Sequence, residues 1–399
     1  MSPPKDPAAR GGTPDRRLLR DKLLPALPGR VARIGHALLR RSDLRALSRR
    51  REPVVLLATN DLSRSGAPFL VLEMARLLRE DCYTSVVVSP VDGPLAPDLR
   101  AMGVPVLIDH RLNQDPAWLP SMAVRAKMAI CNTVDTAGAA ATLARSTAVL
   151  WYLHEVGLLK ERLSHDAVRR AMAEVPLIWA GSRLCADQLA AVRPDAEIVP
   201  YGVVPLGEPP REPAARPLRV GVFGSLEPRK GQDLAVQAYA ALTPEERASI
   251  ALTLYGRVLD RAFADRVLAE AERSGAAYGG ELDRTGYAQA LLASDAVLVP
   301  SREDTLPLVS LDALAAGRML LLTPAVGTLA WLTPGVDSLA AGATDADAVA
   351  GLLRSALARA PDAPAIGAAA RRAFDAHFSP AAFQARLRAA VASLTEARP

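Results

Sequence analysis

Aromatic side chains make up only 4% of this 399-residue chain. Leu, Val, Ile and Ala must therefore fill whatever core it builds, and with 50% of the residues hydrophobic there is ample material for one. Cysteine is equally scarce. The three present, Cys82, Cys131 and Cys185, stand far apart inside apolar segments. That spacing excludes a zinc ribbon or a disulfide framework and predicts buried free thiols. No apolar run reaches the roughly 18 charge-free residues that a membrane-spanning helix needs. Met1 to Asp21 mixes acidic and basic residues without an apolar stretch, so no signal peptide is predicted and a cytosolic location is expected.

Charge is unevenly spread. The net +5 of the whole chain hides a segment, residues 1–52, with 14 Lys/Arg against 5 Asp/Glu, an excess of nine. The remainder carries 34 basic and 38 acidic residues, a net of −4. Prolines and glycines crowd the first 30 residues, which predicts a poorly ordered, solvated extension. Its charge also permits peripheral contact with anionic headgroups at the inner face of a plasma membrane. Nucleic acid is not expected as a partner, because aromatics are not interleaved with the basic residues. Val31 to Leu47 predicts a helix with Val31, Ile34, Leu38 and Leu39 among arginines, suited to a membrane surface or to packing on the body.

The ordered body starts at Pro53. Val54–Ala58 is short and wholly apolar, as a parallel strand covered on both faces must be. Further apolar runs at Ser85–Val88, Val104–Ile108, Met128–Cys131, Ala148–Leu153 and Leu177–Ala180 alternate with helical segments. The Pro-rich stretch Leu206 to Pro217 reads as a linker. The alternation then restarts with strands at Leu218–Phe223, Ile250–Tyr255, Ala296–Val299 and Met319–Thr323. Two α/β, doubly wound, Rossmann-like domains facing a central cleft follow, with ligands at the carboxyl ends of the strands. The expected division is a basic extension (1–52), a first domain (53–205), a linker (206–217) and a second domain (218–378). A closing helix in 379–399 is expected to return toward the first domain.

Two segments of the second half carry chemistry. Gly221-Val222-Phe223-Gly224-Ser225-Leu226-Glu227-Pro228-Arg229-Lys230-Gly231 runs a strand into a glycine turn, a cation pair and a helix start. Glycine allows close backbone approach, helix-start amides favour anions, and Arg229 and Lys230 add the charge a diphosphate requires. An ordinary strand–helix turn with two solvated cations would use the same residues. Pro300-Ser301-Arg302-Glu303-Asp304-Thr305-Leu306-Pro307 follows an apolar strand and leads into a helix carrying Asp312. Such carboxylates can accept hydrogen bonds from sugar hydroxyls, although a solvated loop with a capping aspartate would look alike.

Together these segments resemble the donor site of family 4 glycosyltransferases, retaining enzymes of the GT-B fold. That family carries an Arg-Lys-Gly phosphate motif and, about 75 residues later, an acidic pair spaced E-x7-E. Here the pair stands as Asp304 and Asp312. The glycine loop Asn60 to Pro68, the strand end Trp151 to Glu155 and the segment Val199 to Val203 are similar to first-domain features of the same family. The resemblance covers roughly residues 53–395. It implies that Arg229 and Lys230 neutralise the donor diphosphate without a metal, and that Asp304, with Glu303 as a substitute, lies beside the transferred sugar. It further implies that Asp312 takes the ribose hydroxyls, that His154 reaches the sugar, and that Gly66, Gly224, Thr305 and Leu306 complete the donor site. Tyr278-Gly279-Gly280 falls where the base is held.

The resemblance thus implies a nucleoside-diphosphate-sugar as co-substrate, no cofactor and no metal, and a glycan or lipid-linked hydroxyl acceptor, as in bacterial envelope or exopolysaccharide synthesis. Two features depart from the pattern: both acidic residues are Asp rather than Glu, and Gly327-Thr328 replaces a Gly-Gly. They leave open a catalytically silent relative that binds nucleotide-sugar or acts as a scaffold.

Overall fold

The computed structural model describes residues 29–47, 53–207 and 217–396. Most of the basic extension and most of the predicted linker lie outside the described residues.

A seven-stranded sheet is built from β1 (Val54–Ala58), β2 (Thr84–Ser89), β3 (Val106–Ile108), β4 (Ala126–Asn132), β5 (Ala148–Leu153), β6 (Leu177–Ala180) and β7 (Glu197–Ile198) in the order β3-β2-β1-β4-β5-β6-β7. A six-stranded sheet follows, from β8 (Leu218–Phe223), β9 (Ile250–Tyr255), β10 (Ala277–Tyr278), β11 (Ala296–Val299), β12 (Met319–Leu322) and β13 (Leu339–Ala340) in the order β10-β9-β8-β11-β12-β13. Every strand pairing is parallel.

Parallel strands need helical crossovers, and helices on both faces bury both faces. In β1, Leu56 and Ala58 enter one core while Val55 and Leu57 enter the core on the opposite side. Strand β11 divides likewise, with Ala296 and Leu298 on one side and Val297 and Val299 on the other. In each sheet the winding direction reverses once, between β1 and β4 and between β8 and β11. At such a reversal adjacent loops part and open a crevice at the strand carboxyl ends.

The last helix, Pro380–Glu396, belongs to the first sheet's packing. Phe383, Leu387, Val391 and Leu394 recur at helical spacing and enter the core formed by Val55, Leu57 and Ile130. Arg388 Nε contacts both Asp81 oxygens at 2.8 and 2.9 Å. The chain crosses back where Val203 N–H donates to Phe378 O at 3.0 Å. The leading helix, Gly29–Leu47, lies against β3, its Arg40 Nη1 donating to Ile108 O at 2.8 Å.

One expectation is corrected. Cys131 and Cys185 are buried thiols, but Cys82 is exposed. It sits just beyond helix Gly66–Glu80 with a φ of 63°, where the chain must reverse to enter β2. Its exposure goes with this left-handed turn closing the helix, which an apolar neighbourhood in sequence did not predict.

Candidate active site

The two reversal points face one another. From the second domain, β8 delivers Gly224 to Lys230 and β11 delivers Pro300 to Leu306. From the first, β1 delivers the loop Thr59–Gly66, β4 ends at Asn132, and His154 follows β5. Between them lies a cavity of about 320 Å³ lined by residues of both domains, among them His154, Glu155, Tyr201, Arg229, Asp304 and Thr305.

The cation loop is held by glycines with defined duties. Gly231 has a φ of 68°, and a Cβ there would stand 2.0 Å from Pro300 O. Only glycine permits both the left-handed turn and the approach of the β8 and β11 loops. Arg302 N–H then bonds Arg229 O at 2.8 Å, and the Arg302 guanidinium grips Asp233 with two 2.7 Å contacts. Within this frame Lys230 Nζ lies 2.6 Å from Asp304 Oδ2, and Arg229 Nη1 lies 3.8 Å from Asp304 Oδ1. Arg229 also donates to Glu303 O and to Glu227 Oε1, each at 3.1 Å. Arg229 remains 43% exposed, whereas Asp304 is 10% exposed. The carboxylate is thus fixed, while the guanidinium, though held by Glu303 O and Glu227, keeps an exposed side toward the cavity.

Asp312 sits on helix Leu308–Ala315, nearly buried, and accepts the Tyr287 hydroxyl at 2.7 Å. Burial raises its carboxyl from the ordinary 3.8 to about 6, the Tyr287 hydrogen bond opposing part of that rise. Tyr287 packs edge-on against Phe223, which stacks on Tyr255 at 4.9 Å. Tyr201 bridges the domains, its hydroxyl donating to Leu306 O. Burial is the main cause of its raised phenol, with both Asp304 and Asp312 adding to the effect.

On the opposite wall, Asn132 Nδ2 donates to Ala67 O at 2.9 Å, which leaves its Oδ1 to face His154 Nε2 at 2.8 Å. Asn132 Oδ1 can only accept, so the imidazole proton is on Nε2. Nδ1 is buried without a partner, against Gly181. Burial lowers the His154 pKa to about 3, so the ring is neutral at any working pH. Glu155 is half-buried, accepting Val134 N–H at 3.1 Å and His154 N–H at 3.0 Å, and desolvation raises its carboxyl.

Of the residues singled out from sequence, Arg229, Glu303, Asp304, Thr305, Leu306 and His154 share the cavity wall, and Lys230 joins it through Asp304. Glu303 Oε1 accepts Gly157 N–H from the first domain at 3.1 Å. Gly224 lies beneath the Lys230 side chain, with a φ of 149°. Gly66 faces Leu308 across the interdomain gap, 3.9 Å from where its Cβ would be. Gly327 N–H bonds Asp304 O at 2.8 Å, while Thr328 Oγ1 pairs with Ser310 Oγ at 2.6 Å, giving the hydroxyl of this departure a buried partner. Tyr278 to Gly280 lie at the end of β10, beside the end of β9, where Gly280 O accepts Gly256 N–H at 2.9 Å. Among the described residues no three His, Cys, Asp or Glu side chains converge as a metal site.

Four site residues were given no role from sequence: Asn132 and Tyr287, which it passed over, and Glu155 and Tyr201, which lie inside the segments that resemble the family. Asn132 was findable, as a polar residue closing an apolar strand at its carboxyl end. Tyr287 was not, since nothing local distinguishes it on its helix.

Residues 217–359 match the family model described as glycosyl transferases group 1. Among solved structures, HepE of Anabaena with UDP and glucose matches at 18% identity and a TM-score of 0.71, covering 85% of this chain and 99% of that one. A glycosyltransferase from Rickettsia africae matches at 12% identity and 0.71, covering 87% and 100%. The sucrose-phosphate synthase of Thermosynechococcus elongatus matches at 18% and 0.67, covering 87% and 100%. No curated protein matches the chain by sequence. The fold is therefore GT-B, two Rossmann-like domains, and the matched domain on that fold supports a glycosyltransferase.

Proposed function

We propose that this protein transfers a hexose-type sugar from a nucleoside diphosphate to a hydroxyl of a glycan or lipid-linked acceptor, with retention at the anomeric carbon. The observation that carries the reading is the meeting of Arg229, Lys230 and Asp304 at the β8/β11 reversal, across a cavity from His154. A departing nucleoside diphosphate develops charge at its phosphates, and two cations in a partly enclosed cleft stabilise that charge far better than water does. Lys230 must share or exchange its Asp304 partner to do so. Asp304 is then well placed for hydroxyls of the transferred sugar. Asp312, oriented by Tyr287, supplies an acceptor for the ribose. With Nε2 held by Asn132 and Nδ1 buried, His154 contributes a neutral ring to the cavity wall and no proton relay.

Retention, the absence of a metal requirement and a role in bacterial envelope or exopolysaccharide synthesis rest on the family resemblance. HepE, whose structures hold UDP and UDP-glucose, makes UDP the first donor base to try. The deciding experiment is a metal-free thermal-shift screen against UDP, GDP, ADP, dTDP and their sugars, since a native-state ligand must raise the melting temperature. Stabilisation by one diphosphate, lost in Arg229→Ala, supports the donor site. A folded protein that responds to none of them overturns it in favour of a silent relative.

A further inference from the structure

The leading helix, Gly29–Leu47, has two working faces. Its inner face carries Leu39 and Leu47, 9% and 6% exposed, together with Arg40, which pairs with Asp109 at 3.0 Å and covers the Trp118 ring. The opposite face carries Val31, Ile34 and Leu38, exposed by 49%, 63% and 60%. These lie at i, i+3 and i+7, a single stripe at helical pitch, and the exposed Arg41 and Arg45 extend the same line. Arg33 is exposed on the flank. Body packing accounts for the inner face but not for three large aliphatics turned outward.

We propose that this outer face docks on a bilayer surface bearing anionic headgroups. Helix packing has already fixed one side to the protein, so the stripe lies parallel to the surface. Three aliphatics can enter the headgroup boundary while the arginines meet lipid phosphates. The segment containing the helix carries 14 basic against 5 acidic residues, charge complementary to such a surface. A parallel two-fold pairing with a second copy would oppose Arg41 and Arg45 to their own equivalents, whereas anionic headgroups meet them with opposite charge. Among the described residues no helix is long and apolar enough to cross a membrane, so the contact is peripheral.

The helix also stands at the cleft end of its domain. His36 Nε2 lies 3.9 Å from Asp92 and Arg40 meets Asp109, residues that follow β2 and β3. The Asp92–Gly93 turn packs directly on Leu62, in the loop after β1, and Leu95 N–H bonds Leu62 O at 3.0 Å. Docking therefore turns the first domain's cleft rim toward the membrane. On the transfer reading above, from which this step follows, the acceptor is a hydroxyl on a lipid carrier.

The test is vesicle co-sedimentation of the full chain, with phosphatidylcholine vesicles compared with phosphatidylglycerol-rich ones. It is run beside the nucleotide thermal shift and a light-scattering mass. The wild type is expected to bind only the anionic vesicles, and the Val31→Ser/Ile34→Ser/Leu38→Ser variant to bind roughly tenfold more weakly. Arg41→Glu/Arg45→Glu is expected to lose binding too, which guards against misfolding of the first variant. Equal binding by the serine variant would assign the affinity to residues 1–28 and overturn the proposal. So would a wild-type dimer that becomes a monomer in that variant without vesicle binding. A lost nucleotide shift with vesicle binding intact would defeat the transfer reading and leave the docking standing.

Discussion

Replacing Asp312 by Asn separates the energetic strain of this site from its use. The carboxylate is buried on helix Leu308–Ala315 with the Tyr287 hydroxyl at 2.7 Å as its side-chain donor. Its pKa stands at about 6 rather than 3.8 because burial disfavours the charge. That difference corresponds to roughly 3 kcal/mol at about 1.4 kcal/mol per unit of pKa. A carboxyl raised in the folded state leaves stability intact below pH 3.8 and removes it as pH climbs to about 6. Asn keeps the shape, still accepts the Tyr287 hydroxyl and carries no charge. Asp312→Asn should therefore melt about 3–8 °C above the wild type at pH 8 and close to it at pH 4. In the same protein the affinity for the nucleoside diphosphate should fall roughly tenfold or more, because a charged acceptor for ribose is gone. Thermal melts at the two pH values, each with and without UDP, measure both. A variant less stable than wild type at pH 8, by as much as at pH 4, would refute the argument: the carboxylate would then be stabilising rather than strained.

Arg229→Ala, whose side chain is 43% exposed, should leave the melting temperature nearly unchanged while lowering turnover roughly 100-fold or more; sugar release from the donor checks it. Lys230→Ala should do both kinds of harm, since it leaves the Asp304 carboxylate, 10% exposed, without its ammonium; denaturant unfolding beside activity tells the two apart. Gly231→Ala should destabilise by roughly 2 kcal/mol or more, from the left-handed φ of 68° and the Cβ contact with Pro300 O, read as a shift in the denaturation midpoint. His154, with its pKa lowered to about 3, gains no proton on folding while an unfolded chain gains one below 6.5. Stability should fall as pH drops from 6.5 toward 3, and His154→Gln should flatten part of that decline in pH-dependent melts.

Much of the fold was legible before any coordinates. Val54–Ala58 and Ala296–Val299 are apolar throughout because a parallel strand must bury both faces, and that pattern is local. The glycine turn and cation pair at Gly224 to Gly231 were equally visible, because backbone conformation and charge are properties of adjacent residues. Cys82 misled for the complementary reason: its exposure depends on how one helix ends, not on the apolarity around it.

The sequence by itself determined which residues could bind an anion, which could accept a sugar hydroxyl, and that two α/β layers would form. Tertiary structure alone decided their relations. It set Lys230 on Asp304 across 74 residues of chain, gave Asp312 to Tyr287, and fixed the His154 proton through Asn132 and Ala67. It also turned Val31, Ile34 and Leu38 away from the body. Hydrogen bonding and desolvation depend on distance in space, and a chain states only distance along itself.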